Sequence, residues 1–455
     1  MNNFSEPVYF KELQQYSKNE LFEKNFNESI LLKLQKEDIV IYKEGKYQFK
    51  YVGVLIIDNI VMFVYPKYIP NEYNIKNDFG QVLKVIKKYN AENKNLDYEN
   101  EENDELSFNF LSLMIHILED YLENGVYTKI QNILEINGNN EINWDKTINN
   151  TYPIIKNNKP YYVELFTKSK IQDVFNYFRL LHECIITDCS KHLKSVGLLE
   201  VFDLPYVELS EKILEDFGDI EFIKQKLEKE LYVEFNTQKQ ELLRFLHAYV
   251  SQKNVFTNKN FLTLFGTSAY WAVWEDVCAK VFLDKLNTKL TSLNMIEPLN
   301  EDYANLKSIY DVIDNPKWVL NNNIEKSAGG KLKPDIITFY KDNFIILDAK
   351  YYNLIFEMDE DLKNYPGISD ITKQYLYHLC LDDFRRKHGY NHVKNALLFP
   401  TYGTEVVNKG HVALEIFFNL GLEKIQIIFL PAKDLNDLYL NDKSISEDVL
   451  KLIVR

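Results

Sequence analysis

The chain has 455 residues, of which 46% are hydrophobic, so it is long enough for roughly two or three packed domains and too apolar to be disordered. Its net charge of −14 excludes a protein that coats DNA, because phosphate binding needs clustered Lys and Arg. No apolar run reaches the roughly 20 residues of a membrane helix. Four cysteines without paired spacing and the lack of a signal peptide predict a cytoplasmic protein. No Gly-x-x-x-x-Gly-Lys-Ser/Thr loop is present, so we expect this chain to bind no nucleotide.

The sequence pattern of residues 1–70 predicts a small β-rich domain. The polar stretch Glu6–Lys24 has a helical pattern, and apolar runs then alternate as strands as far as Pro66. The predicted strands are Asp38–Tyr47, Tyr51–Asp58 and Ile60–Tyr65.

Residues 71–250 predict a mixed and then helical middle region, which is a candidate for DNA recognition or for docking of a partner. Apolar spacing indicates helices at Phe79–Tyr89 and Leu106–Asn124, and the acidic stretch Glu92–Glu105 between them is expected to be an exposed loop. Strands are expected within 127–166, and a helical pattern comes next. The core stripe of its long helix is predicted to comprise Phe175, Phe178, Leu181, Ile185 and Ile186.

Residues 251–455 predict an α/β domain. The polar stretch Ser251–Asn260 is expected to break the preceding helix, and a new helix is predicted at Ser268–Leu286 with Ser268 as its N-cap. Glu275 lies within or beside the apolar stripe of this helix, whereas Asp276 points away. A carboxylate in that position needs a metal, a Lys, a backbone donor or a structural Arg as its partner, because an unpaired buried charge is costly. The stripe comprises Trp271, Trp274, Cys278, Val281 and Phe282.

A β-hairpin is predicted within Lys331–Lys350. Two apolar runs, Ile336–Tyr340 and Phe344–Leu347, flank a Lys341-Asp342-Asn343 turn, and β-branched and aromatic residues dominate both runs. Further strands of the same domain are predicted at Val393–Phe399, Val412–Phe417 and Ile425–Leu430.

Three charged residues meet at one end of this hairpin. Asp348 and Lys350 share a face because side chains alternate along a strand, and strand pairing brings Asp335 beside them. Two carboxylates and a Lys suit Mg²⁺, which prefers oxygen ligands, and a metal held there serves phosphodiester hydrolysis. The alternative is that Asp335 caps a strand and that Asp348 and Lys350 form a solvated ion pair.

The order of a helical Glu275, then Pro334-Asp335, then Asp348-Ala-Lys350 resembles the PD-(D/E)xK nuclease superfamily. The resemblance implies a mixed sheet flanked by helices. It also implies that Asp335 and Asp348 bind Mg²⁺ or Mn²⁺, that Lys350 acts on the attacking water, and that Glu275 supports the metal site.

Other charged residues remain open as contributors. Glu297 and Glu325 lie between the helix and the hairpin, and either is an alternative to Glu275. A further helix is predicted at Ile368–His378 with Ser369 or Asp370 as its cap. It resembles the helix that comes after the motif in the superfamily, which makes Lys373, Gln374 and Tyr377 candidates for contacts with DNA or with the site. Candidate DNA contacts that equally suit a solvated surface are Lys326, Lys331, Lys333 and the run Arg385–His388.

Sequence motifs along most of the chain resemble those of one branch of these nucleases. Phe265-Gly-Thr-Ser-Ala-Tyr-Trp-Ala-Val-Trp-Glu275 is similar to the LlaJI family of restriction endonucleases. Tyr51-Val-Gly-Val-Leu55 with Pro66-Lys67, and the stretch Glu135–Thr147, resemble McrC-type subunits. The resemblance implies a subunit of a bacterial restriction system for phage defence that cuts double-stranded DNA. In such families this subunit works with a McrB-like AAA+ GTPase.

The sequence therefore predicts an α+β multidomain chain with a β-rich start, a helical middle and a C-terminal PD-(D/E)xK core. A metal-dependent endonuclease competes with a second hypothesis, a binding subunit that has lost activity and presents DNA to a partner. A nuclease acting on RNA or single strands is a third. The first is favoured because an inactive protein has no chemical reason to keep Asp335, Asp348 and Lys350 together.

Overall fold

The computed structural model describes residues 7–57, 60–71, 75–93, 110–256, 262–321, 325–327, 329–355 and 361–454. The chain is mixed α/β and forms two compact units. The first comprises Met1–Ser5, Ile56–Asn59 and Glu105–Phe265, and the second comprises Glu6–Leu55, Ile60–Asp104 and Gly266–Arg455. The domain limits at 70 and 250 stay a prediction. Beyond Asn93, the expected loop Glu92–Glu105 lies outside the described residues.

The first unit has a helical core. Leu181, Ile185 and Ile186 are fully buried, as predicted, but Phe175 precedes its helix and is 84% exposed. The helix Thr237–Phe256 runs into the polar stretch Ser251–Asn260 that was expected to break it and ends within that stretch, and the Ser251 hydroxyl donates to the carbonyl of His247. The helices of this unit are Phe110–Asn124, Trp144–Asn150, Tyr177–Ser195, Leu198–Val201, Ile220–Val233 and Thr237–Phe256, with a 3₁₀ turn at Leu214–Phe217.

The strands of the first unit form small sheets with little cover. Ile130–Ile136 pairs antiparallel with Phe166–Gln172, which also pairs with Glu141–Ile142. A separate hairpin joins Ile154–Lys156 to Lys159–Tyr161. Its loop residues Asn157 and Asn158 both have left-handed φ angles, as a tight two-residue hairpin turn requires.

The N-terminal part of the second unit is β-rich, but its first residues differ from the prediction. Instead of one helix over Glu6–Lys24, strands Val8–Lys11 and Gln15–Tyr16 precede a helix, Lys18–Glu23, that Ser17 and Glu20 cap reciprocally. The predicted strand Asp38–Tyr47 is a hairpin, because Glu44 and Gly45 turn the chain with left-handed φ angles. The remaining elements are the helices Glu28–Lys36 and Ile75–Asn93 and the strands Val40–Lys43, Lys46–Phe49, Val52–Ile57 and Ile60–Tyr65.

A five-stranded mixed sheet forms the centre of the C-terminal part of the second unit. Its strand order is Ile336–Tyr340, Asn343–Ala349, His392–Thr401, Ile425–Pro431 and Val407–Val412. The first and last of these run antiparallel to their neighbours, and the three in the middle are parallel. Phe344–Leu347 is completely buried, as expected of a strand that is covered on both faces.

Helices flank this sheet, and three predictions about them are wrong: the bounds of the first helix, the burial of Trp271 and the N-cap of the second helix. The helix predicted from Ser268 begins at Tyr270 with Ala269 as an N-cap that makes no side-chain bond, and it ends at Val281. Trp271 is 58% exposed and does not belong to the core stripe. The second helix begins after Gly367, so neither proposed cap is used. The other helices are Ile309–Val312, Glu415–Phe418, Ala432–Leu440 and Glu447–Val454.

Smaller elements complete the second unit. Lys317–Val319 and Glu325–Ser327 form an exposed hairpin, and 3₁₀ turns lie at Leu290–Ser292 and Glu301–Tyr303. The predicted strand Val412–Phe417 instead ends at Val412 and leads into a helical turn. Leu262–Thr267 is a strand that runs across the division between the units. No helix among the described residues has both the length and the apolar character needed to span a bilayer.

Candidate active site

The predicted hairpin is confirmed, and its open end carries the candidate site. Ile336–Tyr340 and Asn343–Ala349 pair antiparallel, with Ile336 opposite Leu347. The residues just outside this pair, Asp335 and Asp348, therefore lie next to each other at the carboxyl end of a parallel strand. Loops and helix starts gather at that edge of an α/β sheet, where ligands commonly bind.

Backbone hydrogen bonds fix the site from two sides. One oxygen of Asp335 accepts the amide of Ala349 at 3.0 Å, so the start of one strand is tied to the end of the next. The Leu398 carbonyl accepts the amide of Lys350 at 2.8 Å and the indole Nε1 of Trp274 at 3.3 Å. A single carbonyl thus joins the Lys350 backbone to the helix that carries Glu275.

Lys350 lies between two carboxylates. Its Nζ is 2.6 Å from Asp348 Oδ2 and 3.1 Å from Asp370 Oδ1. The contact with Asp370 is a hydrogen bond, whereas Asp348 Oδ2 is buried and accepts no hydrogen bond of normal geometry from the described residues. The expected common face of Asp348 and Lys350 is confirmed by this contact. A solvated pair does not fit, because only 7% of the Asp348 side chain and 15% of that of Lys350 are exposed.

Asp370 is the site residue that sequence reasoning missed. Its position after Gly367 and Ile368 suggested a helix cap, yet its side chain turns to Lys350. A signal was present, since Asp370, Gln374 and Tyr377 repeat at the spacing of one helix face. Gln374 is fully buried, and neither its amide oxygen nor its nitrogen has a partner among the described residues.

Three carboxyl groups and one phenol at the site have pKa values raised chiefly by burial, with neighbouring negative charges adding to the shift. Burial, then the charges of Asp348 and Glu275, raise the pKa of Asp335 to about 8. Burial also raises the pKa of Asp348, although Lys350 opposes the shift. The pKa of Glu275 is raised by burial, and Lys333 partly offsets this. Burial and the charges of Asp348 and Asp335 raise the pKa of Tyr377.

The pKa of Lys350 is raised despite its burial. Burial by itself lowers the pKa of an ammonium, but Asp348 and Asp370 outweigh it. Lys350 is therefore a firmly protonated cation in this arrangement.

Of the other residues predicted to contribute to the site, some lie near Asp348 and Lys350 and others do not. Glu275 is half-buried and interacts electrostatically with Asp348 and Lys350, with exposed Lys333 close by. Lys373 is exposed on the helix that bears Asp370. The remaining candidates have other partners or lie on other elements. The backbone amide of Glu297 donates to the His388 carbonyl, Glu325 forms an ion pair with Lys317, and Lys326 is exposed on the Glu325–Ser327 strand. Lys331 donates to the backbone carbonyl of Tyr310, and Arg385, Arg386 and Lys387 form ion pairs with Asp382 or Asp383.

No group of three His, Cys, Asp or Glu side chains close enough to hold a metal occurs in the part of the chain that the structure describes. The adjacent pair is Asp335 and Asp348, with Glu275 further out. Mg²⁺ is commonly bound by one or two carboxylates together with waters and substrate phosphates, so such a pair is a sufficient protein contribution.

Comparison with known proteins identifies the family. Residues 51–433 match the LlaJI restriction endonuclease family. The chain belongs to that family. A relative, the Type II restriction enzyme BsuMI component YdjA of Bacillus subtilis strain 168, is 29% identical over 438 residues, which cover 92% of this chain and 87% of the relative. The sequence-based assignment to LlaJI-type restriction endonucleases is thus confirmed.

Two solved structures resemble this LlaJI-family chain weakly. One is a half-complex from a tetradecameric assembly of Thermococcus gammatolerans McrB AAA+ hexamers with bound McrC, at 12% identity and a TM-score of 0.41, covering 96% of this chain and 99% of that chain. The other is the cryo-EM structure of the McrBC complex of the same organism, at 12% identity and a TM-score of 0.24, covering 54% and 79%. At these scores neither likeness supports a conclusion about this chain.

Proposed function

We propose that this chain is the metal-dependent DNA endonuclease subunit of a restriction system, with a PD-(D/E)xK active site at Asp335, Asp348 and Lys350. The observation that carries the proposal is a pair of neighbouring carboxylates, buried Asp348 and half-buried Asp335, beside the half-buried Lys350 at the carboxyl end of a sheet strand. Membership of a restriction endonuclease family supports the reaction class.

The carboxylate pair fits Mg²⁺ or Mn²⁺. Asp335 and Asp348 repel each other when both are ionised, which contributes to the raised pKa of Asp335. The buried Oδ2 of Asp348 lies 2.6 Å from the Lys350 ammonium, so it is an anionic oxygen that already attracts a cation in this arrangement. A divalent cation held by these oxygens polarises a phosphoryl oxygen and lowers the pKa of its bound water. Both carboxylates are then stable in the ionised state at neutral pH.

The chain's own side chains have distinct roles in this proposal. Asp335 and Asp348 hold the cation, and Glu275 supports it from the neighbouring helix. Lys350 orients the attacking water and stabilises the negative charge of the transition state by donating hydrogen bonds. Its raised pKa favours this donor role over that of a general base. Exposed Lys333 and Lys373 contact phosphates of double-stranded DNA.

Cleavage of plasmid DNA tests this proposal. The wild-type chain is incubated with Mg²⁺ or Mn²⁺, alone and with a McrB-like AAA+ GTPase from the same genome plus GTP. We expect cation-dependent cutting that EDTA abolishes. Absence of cutting under all these conditions would favour a subunit that only binds DNA, and cutting confined to RNA or single strands would correct the substrate.

The partially uncovered sheets of the first unit are the proposed docking surface for the GTPase partner. Apolar side chains on Ile130–Ile136 and on the hairpin Ile154–Tyr161 are widely exposed, for example 62% for Ile130, 63% for Ile155 and 53% for Tyr161. Exposed apolar surface of this extent favours a protein partner over DNA, whose backbone is recognised by clustered cations. The relative from Bacillus subtilis is itself named a component of a restriction enzyme, which agrees with a multi-subunit system.

Ile155→Glu is expected to weaken binding of the GTPase by about tenfold or more, because it places a charge in an apolar interface. Affinity is measured by biolayer interferometry with the partner immobilised. Ile213→Glu is the matched control, since Ile213 lies in the same unit, is 60% exposed and is outside these sheets. Equal loss of affinity in both variants, or in neither, would remove the docking surface from the proposal.

Measuring both stability and DNA cleavage in Gln374→Leu distinguishes a functional from a structural role of the buried Gln374 amide. Removing two unpartnered polar atoms is expected to keep or raise stability, by about 1 kcal/mol. Cleavage is nevertheless expected to fall by about tenfold or more if the amide contacts DNA or the attacking water. Asn395→Leu is the control, because Asn395 is also a buried amide with an unpartnered oxygen, but it lies opposite Ile346 in the sheet. Unchanged cleavage by Gln374→Leu would show that the amide has no part in the reaction.

A further inference from the structure

The ammonium group of Lys350 is placed where it obstructs the proposed cation site. Its Nζ is 2.6 Å from Asp348 Oδ2, the same buried oxygen that is needed to hold a divalent cation. Two cations on one carboxylate oxygen repel each other strongly in a site with so little exposure to water, because their repulsion is poorly screened there. We therefore expect Lys350 to draw back from Asp348 when the cation binds.

A lysine that draws back within this site needs another anion. Only 15% of the Lys350 side chain is exposed, so leaving its charge unpaired would be costly. Asp335 and Glu275 are not available to pair with Lys350, because they hold or support the cation in the proposed function. Asp370 lies on the other side, on the helix Ile368–Lys387, and already accepts a hydrogen bond from Nζ at 3.1 Å.

We propose that Asp370 is a positioning residue that receives the Lys350 ammonium when a divalent cation binds at Asp348. This inference rests on the proposed metal-dependent function and assigns a role within it. Because Asp348 is on a strand and Asp370 on a helix, Lys350 changes partner by rotating its own side chain. The exchange keeps every charge paired, and it holds the ammonium beside the cation site, where the reaction needs it.

Cation binding without DNA tests the proposal independently of cleavage. Mn²⁺ is titrated into the full chain by isothermal calorimetry, using wild type, Asp370→Asn, Asp370→Glu, Lys350→Met and the double variant Lys350→Met/Asp370→Asn. Asp370→Asn is expected to weaken Mn²⁺ affinity by about tenfold, because Lys350 then remains on Asp348 and competes with the cation. Asp370→Glu restores a carboxylate and is expected to recover most of that loss.

The double variant distinguishes positioning from a merely structural role. With Lys350 replaced, Asp370→Asn is expected to change Mn²⁺ affinity by less than about twofold, since no ammonium competes. The same tenfold loss in both backgrounds would overturn the proposal and make Asp370 a direct ligand or a fold determinant. Asp383→Asn, which removes a paired carboxylate from the same helix, controls for helix stability. Failure of the wild-type chain to bind Mn²⁺, or binding that Asp348→Asn leaves intact, would overturn the proposed cation site itself.

Discussion

Asp348→Asn is expected to abolish cation-dependent DNA cleavage, lowering the rate by at least about a thousandfold while the fold is retained. The substitution preserves the shape of the side chain but removes the negative charge that is proposed to attract the cation. It also deprives Lys350 of the carboxylate at 2.6 Å. The fold is expected to survive because the apolar strand Phe344–Leu347, rather than the charged end, holds the sheet together.

Initial rates of plasmid nicking and linearisation measure this effect, with circular dichroism as the check on folding. Asp342→Asn is the matched control, because it removes a carboxylate from the turn of the same hairpin, where Asp342 pairs with His392. The control should cut like wild type. A rate for Asp348→Asn within about threefold of wild type, with proper folding, would exclude Asp348 from the active site.

Asp335→Asn is expected to stabilise the protein in the absence of divalent cations, even though it removes a residue of the proposed active site. The pKa of Asp335 is raised to about 8, so its ionised form is unfavourable in the folded chain. Asparagine keeps an oxygen that can accept the Ala349 amide, but it carries no charge to repel Asp348 and Glu275. We expect a gain of roughly 1–3 kcal/mol in the free energy of unfolding at about pH 8.

The gain should depend on pH in a defined direction. An acid whose folded pKa exceeds its unfolded value binds more protons when folded, so its contribution to stability is complete below the unfolded pKa of about 3.9 and is lost as the pH rises towards about 8. The difference in stability between Asp335→Asn and wild type should therefore widen between about pH 5 and about pH 8 and then level off.

Thermal unfolding in EDTA across this pH range provides the measurement. Adding Mg²⁺ should narrow or reverse the difference, because the cation stabilises wild type by binding its folded form. Asp342→Asn should show no comparable trend. A difference that is constant with pH, or that widens towards acid, would mean that Asp335 is ionised without cost in the folded chain.

The local pattern of the sequence was sufficient for the hairpin and for its charged end. Two apolar runs on either side of a short turn indicated the hairpin, and the two-residue Lys341-Asp342 turn sets the register in which Ile336 lies opposite Leu347 and Asp335 lies beside Asp348. The same kind of pattern failed near the N-terminus, where the helical reading of Glu6–Lys24 missed two short strands. Those strands are stabilised by pairing with distant residues, as Val8–Lys11 is by Ile60–Tyr65, and no local propensity records such pairing.

Helix ends and helix faces were decided by packing. Trp271 fits an apolar stripe by spacing, yet its side chain is exposed, whereas Trp274 is buried and bonds the Leu398 carbonyl. Asp370 is of a residue type and at a position that suggest a helix cap. Its side chain instead contacts Lys350, because its helix packs beside Asn343–Ala349.

The sequence by itself determined the family, the hairpin and the identity of three charged residues, because these depend on residue order and on alternation along a strand. The tertiary structure alone decided that Lys350 is shared by Asp348 and Asp370, and that Glu275, rather than Glu297 or Glu325, interacts electrostatically with Asp335 and Asp348. These relations join residues on separate strands and helices, and burial shifts their pKa values. Both effects arise only when distant segments pack together and exclude water.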